Sequence, residues 1–325
     1  MILVTGGAGF IGSNVVAALS ERDIRVAVCD RLRTGEKWRN IAKAELSDVV
    51  APESLSQWLD ANTDNVAGVV HMGAISATTE TDADLIVDVN FRLSWKLWEW
   101  CARHGKALIY ASSAATYGGG EQGFDDDPDG LGQLRPLNAY GWSKHLFDRR
   151  VIRALADGEP APPQWVGLKF FNVYGPNEYH KGSMMSVVAQ KYAEAAAGKT
   201  VELFKSHRPD YPDGGQKRDF VFVRDCVAVM LWLLENRQVS GLYNLGSGRA
   251  RTFEDLARAL FAACDQQPRI EYVDMPEILQ GKYQYFTEAK MQRLHDAGYP
   301  HPFTSLEQGI ASYVREFLSQ PDRYR

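Results

Sequence analysis

Short runs of apolar residues alternate with longer amphipathic stretches through the first half of the chain. The runs predict β-strands of a parallel sheet, because strands that are covered on both faces are apolar almost throughout. The predicted strands are Ile2–Thr5, Ile24–Cys29, Val66–Val70, Ala107–Tyr110 and Trp165–Phe170. The predicted helices between them are Phe10–Leu19, Leu85–Arg103 and Tyr140–Leu155. Strands that alternate with helices indicate an α/β fold, a Rossmann-type doubly wound parallel sheet.

The second half of the chain is less regular and predicts a smaller C-terminal α/β lobe. Two polar stretches that contain Gly and Pro, Asp125–Pro136 and Lys205–Lys217, are predicted to be loops. Two late strands that return to the first sheet and two helices of the smaller lobe are predicted at Phe220–Val223, Leu242–Asn244, Thr252–Ala263 and Leu306–Phe317. We therefore predict a nucleotide-binding domain over residues 1–170 plus about 219–246. The substrate-binding domain is predicted over about 171–218 plus 247–325.

Composition narrows the choice of partners and of compartment. The 325 residues carry a net charge of −5, whereas a nucleic-acid binder usually shows a basic surplus. No apolar run approaches the roughly 18 residues that span a bilayer, and the first residues lack the basic start of a signal peptide. The cysteines are scattered and predict neither disulfides nor a metal site: Cys29, Cys101, Cys226 and Cys264. We expect a cytosolic protein with reduced thiols, no nucleic-acid or membrane partner and no metal.

A glycine-rich segment follows the first predicted strand and opens the first predicted helix. It has the spacing GxxGxxG and reads Gly6-Gly7-Ala8-Gly9-Phe10-Ile11-Gly12. Glycine at positions 6, 9 and 12 permits a tight turn, a close approach of the backbone to a pyrophosphate, and close packing of helix on strand. The helix N-terminus then presents N–H groups and a partial positive charge to the phosphates. The segment predicts a dinucleotide site.

The charges at the end of the second predicted strand bear on the choice of cofactor. Asp30 stands where a carboxylate would hold the ribose 2′-hydroxyl of NAD. Arg31 follows at once and Lys37 is close by, and a basic group there can take the 2′-phosphate of NADP. Solvated loop charges are the common alternative. The two signals conflict, and we favour NADP over NAD.

A Tyr-x-x-x-Lys pattern supplies candidate acid–base groups. Tyr140 and Lys144 are four residues apart, so they share one face of a predicted helix. A lysine ammonium near a phenol stabilises the phenolate, and we expect it to lower the tyrosine pKa from about 10 toward neutrality. Tyr140 would then be a usable proton shuttle. Ser113, shortly after the strand that ends at Tyr110, is predicted to hydrogen-bond the reacting oxygen.

The order of glycine loop, serine and YxxxK resembles that of the short-chain dehydrogenase/reductases. The chain length and the string Arg218-Asp219-Phe220-Val221 resemble the extended branch of that superfamily, whose members mostly act on nucleotide sugars. Further strings resemble the ADP-glycero-manno-heptose 6-epimerases over nearly the whole chain. These strings are SSAATYGG at 112–119, FNVYGP at 171–176, HKGSM at 180–184 and GKYQ at 281–284. HKGSM is the most specific of them.

The resemblance implies inversion at C6 of ADP-D-glycero-D-manno-heptose, by transient oxidation and reduction with tightly bound NADP. In that family the L-glycero product supplies the lipopolysaccharide inner core of Gram-negative bacteria. The resemblance assigns the two acid–base roles to Tyr140 and Lys181. A lysine acts as a base only if burial or neighbouring cations lower its pKa, and the alternative is that Lys181 only binds phosphate. The family also implies a homo-oligomer, such as a pentamer.

The resemblance also assigns binding residues position by position. Apart from the glycines, the charges at 30, 31 and 37, and Tyr140, Lys144 and Lys181, the residues expected at the cofactor are Phe10, Ile11, Met72, Gly73, Ala74, Ser76 and Val173. The residues expected at the substrate are Ser113, Asn172, Ser183, Gln190, Phe204, Arg218 and Tyr283. Arg218 would pair with the diphosphate through two hydrogen bonds. Isolated aromatic residues are more often core residues, which is the alternative for Phe204 and Tyr283.

Some positions depart from the family pattern, and three other interpretations stay open. Pro52 replaces an expected lysine near the adenine, Gln190 stands where the family tends to have histidine, and the 205–217 loop is longer than expected. A UDP-hexose 4-epimerase would share the tyrosine and serine but not the HKGSM string. A 4,6-dehydratase needs a carboxylate pair directly after the active-site hydroxyl residue, where this chain has two alanines. A non-catalytic NADP-binding protein of the same fold is the third alternative.

Overall fold

The main sheet holds the predicted Rossmann strands. The computed structural model describes residues 1–276 and 284–325. Seven strands form this sheet: β1 (Ile2–Thr5), β2 (Val26–Cys29), β3 (Asp48–Val50), β4 (Gly68–His71), β5 (Ala107–Ser113), β6 (Trp165–Phe170) and β10 (Gly241–Leu245). Their order is β10-β6-β5-β4-β1-β2-β3, and every pairing is parallel. The prediction of a Rossmann-type α/β sheet is therefore confirmed.

Helices connect the strands of the main sheet. They are α1 (Phe10–Ser20), α2 (Leu55–Ala61), α3 (Ala83–Ile86), α4 (Leu93–His104), α5 (Ala139–Ala156) and α7 (Val223–Glu235). The stretch predicted as one helix over 85–103 consists of α3 and α4 joined by a π-helical turn, Val87–Arg92. The sequence does not predict α7, because this helix is buried around most of its circumference. Its continuous apolar run cannot be distinguished from a strand by periodicity alone.

The remaining elements build the smaller lobe. Strands β7 (Asn172–Tyr174), β9 (Lys217–Phe222) and β11 (Ala250–Thr252) form one sheet, and β8 (Val201–Phe204) pairs with β12 (Ile270–Val273). The helices of this lobe are α6 (Val187–Ala196), α8 (Phe253–Ala263) and α10 (Leu306–Tyr313), which continues as the π-helical turn Val314–Leu318. Helix α9 (Gln292–Asp296) instead packs on β10 and contributes Leu294 to the main core.

The prediction that Phe220–Val223 returns to the first sheet is wrong. Strand β9 pairs with β7 and β11, and helix α7 already begins at Val223. Phe220 and Phe222 belong to the apolar core of the smaller lobe, whereas Val221 belongs to the main core. A strand whose two faces serve two cores lies between the lobes. The other late strand does return, because it lies within β10. The domain boundaries stay a prediction.

The two predicted loops differ in regularity. Asp125–Pro136 contains a 3-10 helix, Pro128–Gln133, whereas the other stretch is irregular from the end of β8 to the start of β9. Over the described ranges, no helix has the length and apolar character that a membrane span requires. Within the same ranges, no cluster of His, Cys, Asp and Glu side chains could hold a metal ion.

A buried ion pair joins α5 to the main sheet. The Lys169 ammonium on β6 lies 2.6 Å from a carboxylate oxygen of Asp148 on α5, and neither side chain is exposed to solvent. Asp148 also accepts a hydrogen bond of 2.6 Å from the Ser112 hydroxyl on β5. Lys169 donates a second hydrogen bond to Thr116, 3.0 Å away, in the turn that follows β5. The pair therefore fixes α5, β5, β6 and that turn relative to one another.

We predict that Asp148→Ala destabilises the protein by about 3–5 kcal/mol, because the variant leaves the Lys169 ammonium buried without its counter-charge. Urea unfolding measures the free energy of unfolding. The matched control is Arg153→Ala on the same helix, which removes an exposed ion pair with Asp157 and should change stability little. Equal losses in the two variants would contradict the assigned role of the buried pair.

Candidate active site

A cleft of about 580 Å³ lies where the carboxyl ends of the central strands meet the smaller lobe. The strand order of the main sheet reverses between β1 and β4, and open α/β sheets bind ligands at the carboxyl ends beside such a reversal. Most of the predicted site residues line this cleft: Gly6, Phe10, Ile11, Gly12, Met72, Ala74, Ser76, Ser113, Tyr140, Lys144, Asn172, Val173, Lys181, Ser183 and Arg218.

The glycine loop leaves room for a dinucleotide close to the backbone. Gly6 has a φ of +64°, and a Cβ atom there would lie 2.6 Å from the backbone nitrogen of Gly73. A Cβ atom on Gly12 would lie 2.2 Å from the carbonyl oxygen of Gly6. Helix α1 begins at Phe10 without a side-chain cap and without acidic residues in its first turn. Its free N–H groups and positive dipole end therefore fit the pyrophosphate of a dinucleotide.

The charges at the end of β2 form a compact cluster beside this loop. Asp30 accepts a hydrogen bond of 2.9 Å from the backbone N–H of Ala8 in the glycine loop. The Lys37 ammonium lies 2.5 Å from the other carboxylate oxygen of Asp30. The Arg31 guanidinium pairs with Glu53, and both of these side chains are largely exposed. The cluster therefore places one carboxylate and two cations beside the glycine loop.

Tyr140, Ser113 and Lys144 come together at one wall of the cleft. The first two side chains are joined by a hydrogen bond, and Lys144 is buried one helical turn further along α5. Burial raises the pKa of Tyr140, and the hydrogen bond from Ser113 only partly opposes this. The direction is the reverse of the sequence prediction, in which Lys144 lowers the tyrosine pKa. In the protein alone, loss of solvation is the larger effect on the phenol.

The Lys144 ammonium is itself strongly perturbed. Burial lowers the pKa of Lys144 to about 8, and the Asp148 carboxylate on the same face of α5 acts in the opposite direction. The lysine therefore keeps a positive charge near neutral pH, but only by a small margin. Asp148 of the buried ion pair therefore acts on the site through its charge, as well as through the position of α5.

Lys181 lines the same cleft from the 3-10 helix Tyr179–Met184. Its ammonium lies 5.2 Å from the centre of the Phe10 ring at the start of α1. Burial lowers the pKa of Lys181, which is the direction that a base requires, and the nearby Glu178 carboxylate opposes the shift. Gly182 interrupts the 3-10 helix with a φ of +55°, a conformation that favours glycine.

Two predicted substrate residues, Gln190 and Phe204, do not line the cleft. Gln190 donates hydrogen bonds to the backbone carbonyls of Ser183 and Met185, at 3.2 and 2.6 Å, so it supports the segment that carries Ser183. Phe204 ends β8 away from the cleft lining. Tyr283 and most of its string lie outside the described residues, which end at 276 and resume at 284.

Several functional neighbours were not predicted from the sequence. Phe253 and Leu256 at the start of α8 line the cleft, and their apolar spacing alone is typical of any core-facing helix. Asn90 holds the backbone of Ile75 at both its N–H and its carbonyl, 2.8 and 2.9 Å away. Asp148 pairs with Lys169 and Glu178 with Tyr313, and both partners are remote in sequence. Only Glu178 carried a usable signal, because it lies two residues before the HKGSM string.

Comparisons with known proteins agree with this geometry. Residues 2–246 match the model of the NAD dependent epimerase/dehydratase family. The chain is 51% identical to an ADP-L-glycero-D-manno-heptose-6-epimerase of Nitratidesulfovibrio vulgaris strain DP4, over 100% of both chains. It is 48% identical to one from Fusobacterium nucleatum, again over 100% of both. The crystal structure of the Helicobacter pylori enzyme of that name aligns with a TM-score of 0.78 at 29% identity, covering 97% of this chain and 95% of the other.

A parallel sheet with an uncapped glycine loop and a Ser–Tyr–Lys group at its carboxyl edge defines a nicotinamide-dependent enzyme of the extended short-chain dehydrogenase/reductase kind. A Thermus thermophilus UDP-glucose 4-epimerase, solved with NAD, shares this architecture with a TM-score of 0.74 at 26% identity, over 96% of this chain and 97% of the other. The chain belongs to the NAD dependent epimerase/dehydratase family and, within it, to the branch of epimerases formed by its heptose-6-epimerase relatives.

We predict that Lys144 makes stability depend on pH. The pKa is lowered from 10.5 to about 8 in the folded state, so between these pH values the unfolded chain binds a proton that the folded chain does not. Lys144 should therefore make the free energy of unfolding increase as the pH rises from about 8 toward 10.5.

Urea unfolding at a series of pH values from 7 to 10 measures the effect. The slope should be smaller in Lys144→Met than in the wild type, whereas the exposed Lys199→Met should keep the wild-type slope. Parallel curves for the wild type and Lys144→Met would show that Lys144 is not perturbed.

Proposed function

We propose that the protein converts ADP-D-glycero-D-manno-heptose to ADP-L-glycero-D-manno-heptose by transient oxidation and reduction at C6. The observation that carries the proposal is identity to relatives of that name along the whole chain, with two titratable side chains, Tyr140 and Lys181, in one cleft. The product would supply heptose for the lipopolysaccharide core. The reaction belongs in the cytosol, where the free cysteines of this chain stay reduced.

The charges of the cleft support an anionic nucleotide-sugar substrate. Lys144, Lys181 and Arg218 all line it. Among the lining residues of the described ranges there is no Asp or Glu. An excess of positive charge between low-dielectric walls attracts a diphosphate. The same excess disfavours a 4,6-dehydratase, which needs an acid–base carboxylate pair.

The proposed chemistry requires two proton transfers on opposite sides of C6. A bound nicotinamide dinucleotide supplies the hydride chemistry. Tyr140, held by Ser113, is suited to exchange the proton of the C6 hydroxyl on the α5 side of the cleft. C6 is outside the sugar ring, so the oxygen of the C6 ketone can swing to the other side while the ring stays in place. Lys181, whose pKa is lowered by burial, is suited to exchange the proton there.

The substrate assignment is tested with the purified protein and a panel of nucleotide sugars. Incubation with ADP-D-glycero-D-manno-heptose, UDP-glucose and a GDP-hexose, followed by NMR of the products, should give epimerisation of the ADP-heptose. Epimerisation of UDP-glucose at C4 instead would replace the proposal with that of a UDP-hexose 4-epimerase. Binding of the dinucleotide without turnover of any sugar would leave a non-catalytic binding protein.

We further propose NADP as the bound cofactor and a homo-oligomer, such as a pentamer, as the assembly. The cofactor proposal is supported by Lys37 and Arg31, which flank Asp30 and can meet a 2′-phosphate. Static light scattering measures the mass of the assembly against the 36.3 kDa of one chain, and a monomer would contradict the second proposal.

We predict that the protein purifies with NADP and that Lys37→Met weakens NADP binding about 10-fold or more. The variant removes a charge-assisted contact to the 2′-phosphate, and NAD, which lacks this phosphate, should lose much less affinity. Dissociation constants of both dinucleotides, measured by calorimetry, give the comparison. Lys43→Met, which removes an exposed cation paired with Asp322, is the control. Recovery of NAD alone from the denatured protein would leave Asp30 as the deciding residue.

We predict that Tyr140→Phe and Lys181→Met each block interconversion of the two heptose epimers while NADP binding is kept, because each removes one acid–base group. An analogue with an aldehyde at C6 needs no inversion for its oxidation and reduction. Each single variant should keep part of that redox activity, and the double variant should lose nearly all of it. Full epimerase activity in Lys181→Met would leave Lys181 as a phosphate-binding residue.

A further inference from the structure

Glu178 is a fully buried carboxylate next to the Lys181 segment, and the proposed chemistry gives it no direct role. Four groups donate hydrogen bonds to it. They are the backbone N–H of Gly175 at 3.3 Å, the backbone N–H and hydroxyl of Ser186 at 2.5 and 2.7 Å, and the phenol of Tyr313 at 3.2 Å. A carboxylate that accepts this many hydrogen bonds is held in a single orientation.

These contacts close the segment 175–186 at its base. Gly175 precedes the 3-10 helix that carries Lys181, and Ser186 follows it. Glu178 therefore ties the two ends of the segment together, while Lys181 and Ser183 line the cleft between those ends. The tie extends to the body of the smaller lobe, because Ser186 caps the N-terminus of α6 and Tyr313 lies on α10.

The ammonium of Lys181 lacks a strong anchor of its own. Over residues 1–276 and 284–325 it forms no ion pair, and its recorded partner is the ring of Phe10, 5.2 Å from the ring centre. A lysine has a flexible four-carbon stem, so the location of its ammonium depends on where the backbone holds the residue. That backbone is the one closed by Glu178.

We propose that Glu178 is the positioning residue for Lys181: its buried carboxylate closes the 175–186 segment and so holds the Lys181 ammonium in the cleft. The inference rests on the proposed function, in which Lys181 exchanges the second proton. A displacement of a catalytic group by about 1 Å can cost about 100-fold in rate, so a residue that touches no substrate can control one half of the reaction. The half-reaction assigned to Tyr140 uses a residue of α5, which lies outside this segment.

The test compares two reactions in the same variants. Glu178→Gln keeps the size of the side chain but offers one acceptor oxygen in place of two and directs an N–H group toward donors. We expect it to lower the rate of heptose epimerisation between about 10-fold and 100-fold. Oxidation and reduction of the C6-aldehyde analogue should fall by a smaller factor, because even Lys181→Met is expected to keep part of that activity. Tyr313→Phe removes one of the four donors and should shift the ratio of the two rates in the same direction by less.

The control is Glu202→Gln, which alters an exposed glutamate on β8 and should leave both rates unchanged. A purely structural role for Glu178 would lower both rates by the same factor, and that result or an unchanged ratio would overturn the inference. If Glu178→Gln fails to fold, the ratio in Tyr313→Phe decides in the same way. A wild-type protein that is inactive on the ADP-heptose would overturn the proposed function and this inference together, whereas an active wild type with an unchanged ratio overturns the inference alone.

Discussion

The buried ion pair between Asp148 and Lys169 is the contact on which the geometry of the site depends. Ser113 is the last residue of β5, and Tyr140 lies in the first turn of α5. The distance between their hydroxyls therefore depends on how the two elements are held together. Asp148 connects α5 to β5 through Ser112, and Lys169 reaches the turn after β5 through Thr116. Burying two charges is costly unless good geometry and additional hydrogen bonds offset the loss of water. The protein meets that condition here, and as a result Ser113 and Tyr140 have one fixed relation at their wall of the cleft.

Local patterns predicted the part of the site that is built locally. The glycine loop and the YxxxK pair each lie within one strand–helix junction or one helix, so residue spacing alone determines what they share, and both line the cleft. The long-range part could not be predicted in this way. Glu178 meets Tyr313 across 135 positions, and no spacing rule joins such residues. Strand β9 was assigned to the wrong sheet for the same reason, because its apolar pattern fits two cores equally well. Gln190 was assigned by resemblance, yet it hydrogen-bonds backbone rather than lining the cleft.

The lysines of the cleft are subject to two competing electrostatic requirements. A diphosphate needs cations, whereas a lysine base needs its own charge to be unfavourable. The chain resolves the conflict by burial, which lowers the pKa of both Lys144 and Lys181. A buried or nearby carboxylate then limits each shift, Asp148 for the first lysine and Glu178 for the second. Each of the two lysines therefore has a carboxylate near it that does not line the cleft.

This division between two walls bears on which carbon the enzyme can invert. Tyr140 is fixed to the main sheet through α5, whereas Lys181 lies in the 175–186 segment, which is joined to the smaller lobe through Tyr313 and to the main-sheet side through Ser13 and Asn40. A site with one proton-transferring group must turn the whole sugar ring to present the opposite face of a ring carbon. A site with two groups on opposite walls can hold the ring still, provided that the reacting carbon lies outside the ring and only its oxygen has to cross the cleft. Under the proposed roles of Tyr140 and Lys181, this arrangement favours an exocyclic carbon as the reacting centre.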